Sequence, residues 1–213
     1  MTGRGTRLDT MPATTTPATP ARRVPAAERR EELIEAAVHE FAHGGLHGTP
    51  VAAIARRVGV AQPYVFSLFP TKLELFLAAV DRSFKSVSDT FARAAESYRA
   101  GELGPECEDV LNAMGSAYVR LLQDDRDLLM LQHQAYAACD EEAVRTRVRG
   151  SFAGLVRSVE ELSQAGPERV DDFMRYGMWL NVAAAMGVAD LSVSCEWVRE
   201  QARSPTLDRT ASG

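Results

Sequence analysis

The sequence predicts an all-α protein with a small N-terminal helical domain and a larger helical domain behind it. Apolar residues recur at helical spacing through most of the chain after residue 25, Gly and Pro interrupt them at intervals, and no stretch alternates like a strand. A chain of 213 residues has room for one small and one medium-sized core. We expect the domains at residues 26–72 and 73–203.

The two ends of the chain are expected to be disordered tails. Residues 1–25 are rich in Thr, Pro, Ala and Arg without periodicity, and residues 204–213 are polar. The first tail is basic and could touch a DNA backbone, although a solvated leader without effect explains it more simply. Its arginines are Arg4, Arg7, Arg22 and Arg23.

The first predicted helix carries one amphipathic stripe. Gly44-Gly45 supplies a stop signal directly after it. The stripe consists of Leu33, Ile34, Ala37, Val38 and Phe41.

Residues 49–60 predict a short helix followed by a tight turn. Thr49 is expected to cap a helix whose first position is Pro50. Gly59 can supply the left-handed conformation that lets the next helix leave at a steep angle. The inward face of this helix would be formed by Ile54, Ala55 and Val58.

The next helix has an inward and an outward face. Val65, Leu68 and Phe69 share the inward face, which leaves Pro63 and Ser67 pointing outward between two aromatic residues. This is the face that a DNA-reading helix presents to the major groove, and a helical hairpin without a DNA role has the same pattern. The aromatic residues are Tyr64 and Phe66.

A third helix is predicted to begin directly after Pro70. Thr71 and Glu74 fit the S/T-x-x-E capping box. Lys72 then lies in a first turn whose free N–H groups favour an anion such as a phosphate.

These motifs together resemble the DNA-binding domain of the TetR family of bacterial repressors over about residues 28–80. Ala61, Tyr64 and Leu68 depart from the family pattern, and Phe66 keeps its aromatic residue but stands where the family usually has Tyr. Gln62-Pro63 resembles the tetracycline repressor's recognition helix. The matching positions are Phe41, Gly45, Thr49, Ile54, Ala55, Gly59, Val60, Phe66, Phe69 and Lys72.

The resemblance implies a homodimeric repressor that binds a palindromic double-stranded DNA operator and is released by a small molecule. Gln62 could bond adenine in two places and Pro63 could touch a thymine methyl group, while Lys72 and the helix start at Thr49 would hold phosphates. The expected DNA-binding residues are Thr49, Gln62, Pro63, Tyr64, Phe66, Ser67 and Lys72.

The second domain is predicted to contain several further helices. A long one continues the stripe from Leu73 to Phe91, and shorter ones follow at about 110–122 and 128–139. Two long helices at 141–164 and 168–188 come next, and a short one near 196–202 is last.

The resemblance implies that two late helices of each chain form a four-helix dimer bundle, and we expect 141–164 and 168–188 to supply it. The second helix has a face of small and medium-sized residues that suits close helix packing, which packing inside the monomer would also explain. The expected interface residues are Val148, Phe152, Leu155, Gly177, Asn181, Ala184 and Ala185.

The other helices are expected to enclose a cavity for a largely apolar effector. Pliable and aromatic side chains with a few polar groups suit such a ligand, although at helical spacing they also form ordinary cores. The expected lining is Met114, Tyr118, Met130, His133, Tyr136, Phe152, Met174 and Trp179.

Other function classes find little support, and we expect no enzyme, no cofactor and no metal. Nucleophile, P-loop and zinc-protease motifs are absent from the sequence. His39, His43 and His47 recur every four residues, but Gly44-Gly45 should end the helix before the third. A helical partner-binding module without DNA binding remains an alternative, as does an activator or a regulator without a small effector.

Composition predicts a cytoplasmic protein. The cysteines Cys107, Cys139 and Cys195 are scattered, which favours a reducing compartment, and no signal peptide or membrane-spanning apolar run is found. Residues 1–80 carry 9 Lys and Arg against 7 Asp and Glu, and the rest 15 against 22, for a net charge of −5. A protein with a negative net charge can still carry a local basic face that binds DNA. The negative net charge argues against a protein that coats nucleic acid nonspecifically.

Overall fold

A computed structural model describes residues 25–188 of the chain, and over this range it confirms the all-α prediction. Both predicted tails apart from Pro25, the short helix near 196–202, and Cys195 lie outside the described residues. The described range contains eight helices and no strand. They are α1 (Ala26–Gly48), α2 (Val51–Val58), α3 (Gln62–Leu68), α4 (Lys72–Arg99), α5 (Val110–Asp124), α6 (Arg126–Ala137), α7 (Glu142–Ser163) and α8 (Pro167–Ala185).

The predicted stop in the first helix is a break at Gly45. This residue has φ 63° and ψ −177°, a conformation open almost only to glycine, and a last short helical segment follows it to Gly48. The stripe before the break is buried as expected, with Leu33, Ala37 and Phe41 fully inaccessible.

The turn between α2 and α3 confirms the role expected for Gly59. Gly59 is left-handed at φ 72° and ψ 33°. The N–H of Val60 then donates to the carbonyl of Ala55 at 2.9 Å, which closes the last turn of α2. Ile54 and Ala55 are buried against the core, and the helix-turn-helix geometry follows.

The cap predicted at Thr49 is wrong. The residue at the N-cap of α2 is Pro50, and no side chain caps this helix. Thr49 is instead 2% exposed, and its hydroxyl donates to the carbonyl of Glu40 at 3.0 Å. The break at Gly45 folds the chain back so that Thr49 lies beside α1, and the hydroxyl is used there.

The start of α4 is as predicted. Thr71 is the N-cap, and its hydroxyl accepts a hydrogen bond from the N–H of Glu74 at 3.1 Å. From this fixed start α4 runs without interruption to Arg99, so one helix crosses the expected domain boundary.

Two hydrophobic cores divide the molecule, and the first is larger than the expected N-terminal domain. It joins α1, α2, α3 and the first half of α4, where Phe41 and Phe76 meet edge to face at 5.0 Å, with α6 and the beginning of α7. The second core joins the end of α4 with α5, α7 and α8. Because Leu131 and Ala135 of α6 are fully buried in the first core, α6 is packed directly against the N-terminal helices.

Aspartates begin two of the later helices. Asp109 accepts from the N–H of Asn112 at 2.8 Å at the start of α5, and Asp125 accepts from the N–H of Leu128 at 3.0 Å at the start of α6. The helices of residues 25–188 include none that could cross a membrane singly, while α3 and α4, bent by 68°, pass the same length and composition criteria as a pair.

Candidate nucleic-acid interface and ligand cavity

The outward face of α3 is a continuous exposed surface. Val65 and Phe69 anchor the helix in the first core, and Arg30 of α1 stacks on the outer face of the Phe69 ring at 4.4 Å. This anchoring fixes the orientation of the helix, since its core residues alternate with the exposed ones at helical spacing. The exposed residues are Gln62, Pro63, Tyr64, Phe66 and Ser67.

The side chains on this face differ in their freedom to bond a ligand. Ser67 donates its hydroxyl to the carbonyl of Tyr64 at 2.6 Å, so its oxygen remains only as an acceptor. Ala61 stands at the N-cap without a side-chain bond, as its departure from the family pattern predicts. The amide of Gln62 can both donate and accept, which two-point recognition of a base edge requires.

Lys72 lies at the first position of α4, next to this face. Its ammonium donates to the carbonyl of His47 at 3.1 Å, which ties the start of α4 to the end of α1. Partial burial lowers the pKa of Lys72 from its ordinary value. A phosphate nearby would favour the charged form again, because opposite charges raise the pKa of an ammonium group.

Thr49 cannot offer the hydroxyl that was expected of it, whereas α2 carries two arginines for which no role was predicted. Because the Thr49 hydroxyl is buried and bonded, only backbone N–H groups at the start of α2 remain for a phosphate. Arg57 pairs with Glu40 at 2.8 Å, whereas the exposed Arg56 has no ion pair within residues 25–188. Arg56 is a candidate phosphate contact that the sequence reasoning missed, and its signal in the sequence is the basic pair Arg56-Arg57 in the last turn of α2.

A cavity of about 640 Å³ lies in the second half of the molecule, between α4, α5, α6, α7 and α8. Aromatic and aliphatic side chains such as Phe91, Leu111 and Phe173 line most of it, and Asp109 and Arg169 lie at its charged end. The Arg169 guanidinium, which bonds Asp109, and the N–H of Asn112 lower the pKa of that carboxyl. The size and lining are those of sites that hold drug-sized, mostly apolar ligands.

Half of the predicted lining residues contact this cavity. Tyr118, Tyr136, Phe152 and Met174 line it. Met114 is instead fully buried in the second core, Trp179 packs against that core, and Met130 packs against the first. His133 lies beside the backbone of α8, with Nε2 3.4 Å from the carbonyl of Asn181.

A polar cluster closes one wall of the cavity. The amide nitrogen of Asn181, 1% exposed, donates to the Tyr118 hydroxyl at 3.1 Å and to the Gln132 carbonyl oxygen at 2.8 Å. Burial raises the pKa of Tyr118 and raises that of Tyr136 to about 12, so both hydroxyls stay protonated and can donate. The other Asn181 side-chain atom, Oδ1, is buried without a hydrogen-bond partner among the described residues.

Part of the small-residue face of α8 points inward, which contradicts the predicted dimer surface at its two buried members. Asn181 and Ala184 are buried within the chain, and the ring of Tyr118 on α5 would lie 3.9 Å from a Cβ added at Gly177. Small residues therefore let α5 and α8 approach closely. On α7, Val148 is buried in the first core, and Phe152 and Leu155 line the cavity. Ala185 is half-buried against the second core.

Other residues of the last two helices form an outward apolar surface. Val182 and Met186 are 41% and 56% exposed on α8, one turn apart. An open groove next to α7 is lined by Ala153, Val156 and neighbouring side chains. The outward side of α7 and α8 therefore carries apolar residues that the fold itself does not bury.

Comparisons with known proteins agree with this arrangement. Residues 33–79 match the family described as "Bacterial regulatory proteins, tetR family". The chain is 42% identical over 60 residues to the HTH-type transcriptional activator FasR of Mycolicibacterium smegmatis, covering 28% of this chain and 27% of that protein. It is 27% identical over 116 residues to the HTH-type transcriptional repressor KstR of the same organism, covering 54% of each.

The similarity of fold extends further than the similarity of sequence. The matches span about half the length, or less, of these curated relatives. A TetR-like transcriptional regulator from Rhodococcus sp. RHA1 superposes with a TM-score of 0.57 at 21% identity, covering 85% of this chain and 100% of that one. At this identity the superposition supports the fold alone. The family match is carried by residues 33–79, which are similar to the bacterial regulatory proteins of the TetR family.

Proposed function

We propose that the protein is a dimeric transcription regulator that reads operator DNA with α3 and responds to a small, largely apolar effector. The observation that carries the proposal is the exposed face of α3, held by Val65 and Phe69 at the end of a helix-turn-helix. Such a helix enters the major groove with its outward side chains against base edges.

In this proposal the interface divides into residues that read bases and residues that hold phosphates. Gln62 bonds an adenine and Pro63 packs on a thymine methyl group, with Tyr64, Phe66 and Ser67 around them. Lys72, the start of α2 after Thr49, and Arg56 hold the backbone and fix the register.

We infer that the dimer forms through the outward side of α7 and α8 and not through the buried Asn181 and Ala184. Val148 and Phe152, two of the interface residues expected from the sequence, line the groove beside Ala153. Val182, Met186 and the groove beside Ala153 supply exposed apolar area on adjacent helices. Two-fold symmetry then pairs two α3 helices with a palindromic operator whose half-sites are about one helical turn, or a multiple, apart.

The cavity supports an effector with a defined polar group. Its walls suit an apolar body, and the unpartnered Oδ1 of buried Asn181 suits a ligand that donates one hydrogen bond. An effector must bind one conformation of the dimer better than the other to change its DNA affinity. FasR is named an activator and KstR a repressor. We propose repression relieved by the effector.

Selection of bound duplexes from random DNA tests the proposal. The parent protein should enrich a palindrome, and Gln62→Ala should lose preference at one base pair of each half-site, by about 1–3 kcal/mol. Gln123→Ala changes an exposed glutamine at the far end of α5 and should return the parent motif. Enrichment of no motif would favour a partner-binding module, and an unchanged motif for Gln62→Ala would remove Gln62 from base reading.

A further inference from the structure

Two histidines and an aspartate meet at the junction of α1 and α6, away from both the α3 face and the cavity. His39 and His43 lie one turn apart on α1, and Asp127 lies in the first turn of α6. Nδ1 of His39 is 2.5 Å from Oδ2 of Asp127, and Nε2 of His43 is 3.9 Å from its Oδ1. One potential metal ligand from each side chain lies within 4.8 Å of the others.

The ring of His43 is oriented as a metal ligand requires. Its Nδ1 is 2.8 Å from the carbonyl oxygen of His39. A carbonyl only accepts, so this nitrogen carries the proton. In the neutral ring Nε2 then has a free lone pair, and this nitrogen lies 3.9 Å from Oδ1 of Asp127. Metal-bound histidines are commonly fixed in this way, with the second ring nitrogen donating to a carbonyl or carboxylate.

From this geometry we propose that His39, His43 and Asp127 bind a divalent transition-metal ion, with Zn²⁺ as the ion that fits best. Two imidazole nitrogens and one carboxylate oxygen are ordinary zinc ligands, at about 2.0–2.2 Å from the metal. In tetrahedral coordination, neighbouring ligands lie roughly 3.3–3.5 Å apart. The 3.9 Å contact is near this value, and the 2.5 Å hydrogen bond would open as the ion replaces the shared proton.

The surroundings of the cluster permit an ion to enter. The side chains of His39, His43 and Asp127 are 38%, 65% and 32% exposed, so water can complete the coordination. Glu35, one turn before His39, lines the same surface groove as His39 and Asp127 and adds a negative charge to that groove. This three-residue set leaves a position open, as solvent-accessible zinc sites do.

Such an ion would join two elements that are far apart in sequence. α1 belongs to the helix-turn-helix head, and α6 reaches the wall of the cavity through Gln132 and Tyr136. Bound metal would stabilise the contact between them, with a gain in stability that grows with the logarithm of metal concentration. This inference does not depend on DNA binding and is tested without it.

The test uses full-length protein without an affinity tag, freed of metal by chelation, and titrated with Zn²⁺ in a calorimeter and with Co²⁺ in a spectrophotometer. We expect one ion per chain and the intense visible bands of four-coordinate Co²⁺. His43→Gln should weaken binding about ten-fold or more, since it removes a ligand that is 65% exposed and leaves the core intact.

His47→Gln is the matched control, because His47 lies on α1 beyond the break at Gly45 and outside the cluster. It should bind Zn²⁺ like the parent, and Zn²⁺ should raise the unfolding temperature of both but not of His43→Gln. Equal Zn²⁺ affinity in the two variants, or no Zn²⁺ binding by the parent, would overturn the proposal and leave an ordinary His39–Asp127 ion pair.

Discussion

At the scale of single residues, Lys72 shows how a side chain next to the helix-turn-helix is positioned by contacts within the chain. Its ammonium bonds the carbonyl of His47, and partial burial lowers its pKa. The hydrogen bond thus positions the ammonium at the start of α4, where the helix dipole favours an anion. In the proposed function this anion is a DNA phosphate.

Lys72→Ala should weaken operator binding and make it less dependent on salt. Removing one phosphate contact reduces the steepness of log affinity against log salt by about one unit. Fluorescence anisotropy with an operator duplex at several salt concentrations measures the slope. The other lysine, Lys85, pairs with Asp89 along α4, so Lys85→Ala serves as the control. If both variants keep the parent slope, Lys72 does not bind a phosphate.

Single residues also show what sequence can and cannot predict about the site. The outward residues of α3 were predicted correctly because local periodicity fixes which side of a short helix faces the core. The role of Thr49 was not predicted correctly. Its hydroxyl donates to the carbonyl of Glu40, nine residues earlier, which a reversal of the chain brings close. Asp127, the third residue of the proposed metal site, lies 88 residues from His39, so no local sequence pattern could have linked the two.

At the scale of elements, helix boundaries were predictable where glycines and caps mark them. Gly45, Gly59 and the Thr71 cap lie where the sequence indicates. The partner of a helix face was not predictable. The small residues of α8 indicate a close crossing, but only the fold shows that α5 of the same chain packs against α8 at Gly177.

Gly45→Ala should destabilise the protein by about 1–3 kcal/mol, because the φ of 63° with an extended ψ is strained for any residue with a Cβ. The added methyl group would also lie 2.6 Å from the side-chain oxygen of Gln134, which must move. Gly48→Ala is the control, since nothing lies within 4 Å of its added Cβ. Denaturant unfolding of both variants measures the difference, and equal stabilities would contradict a structural role for the break.

The junction of α5 and α8 should make part of the stability depend on pH. The pKa of Asp109 is lowered by its bond with Arg169, so the carboxylate stabilises the folded state above the unfolded-state pKa near 3.8. This contribution is lost as the pH falls through the lower folded-state pKa. Asparagine caps a helix as well as aspartate does, so Asp109→Asn isolates the ion pair.

For Asp109→Asn we expect a loss of about 0.5 kcal/mol at pH 7, because both partners are substantially exposed. The loss should shrink as the pH drops below 3.8, where the parent carboxylate also becomes neutral. Urea unfolding over this pH range measures both curves. Arg175→Ala, which removes an exposed pair with Asp172 on α8 alone, is the control.

At the scale of the whole molecule, α6 links the N-terminal helices α1–α3 to the cavity in the second half of the molecule. Its first turn meets α1 through Asp127 and the end of α8 through Arg126, which donates to the carbonyls of Ala184 and Ala185 at 3.2 and 3.1 Å. In the proposed regulation, an effector that moves α8 acts on these bonds. Because packed interiors do not deform continuously, such a movement would switch the packing of the two cores between discrete arrangements.

Dimerisation through the outward side of α7 and α8 predicts that Val182→Arg produces monomers. A charge placed on an apolar interface must be buried without a partner, which disfavours association but leaves the folded chain intact because Val182 is exposed. Sedimentation should then give a species of about 23 kDa. Leu103→Arg, an equally exposed apolar residue in the loop after α4, should leave the dimer unchanged.

The same variant distinguishes the contribution of dimerisation to DNA binding from the contribution of α3. Monomeric Val182→Arg keeps α3 intact, so it should bind a half-site as the parent does but lose the extra affinity for a palindrome that two joined heads confer. Anisotropy with half-site and full-site duplexes measures the difference. A dimer that survives Val182→Arg would move the interface to another surface, whereas a monomer with undiminished palindrome binding would separate operator recognition from dimerisation.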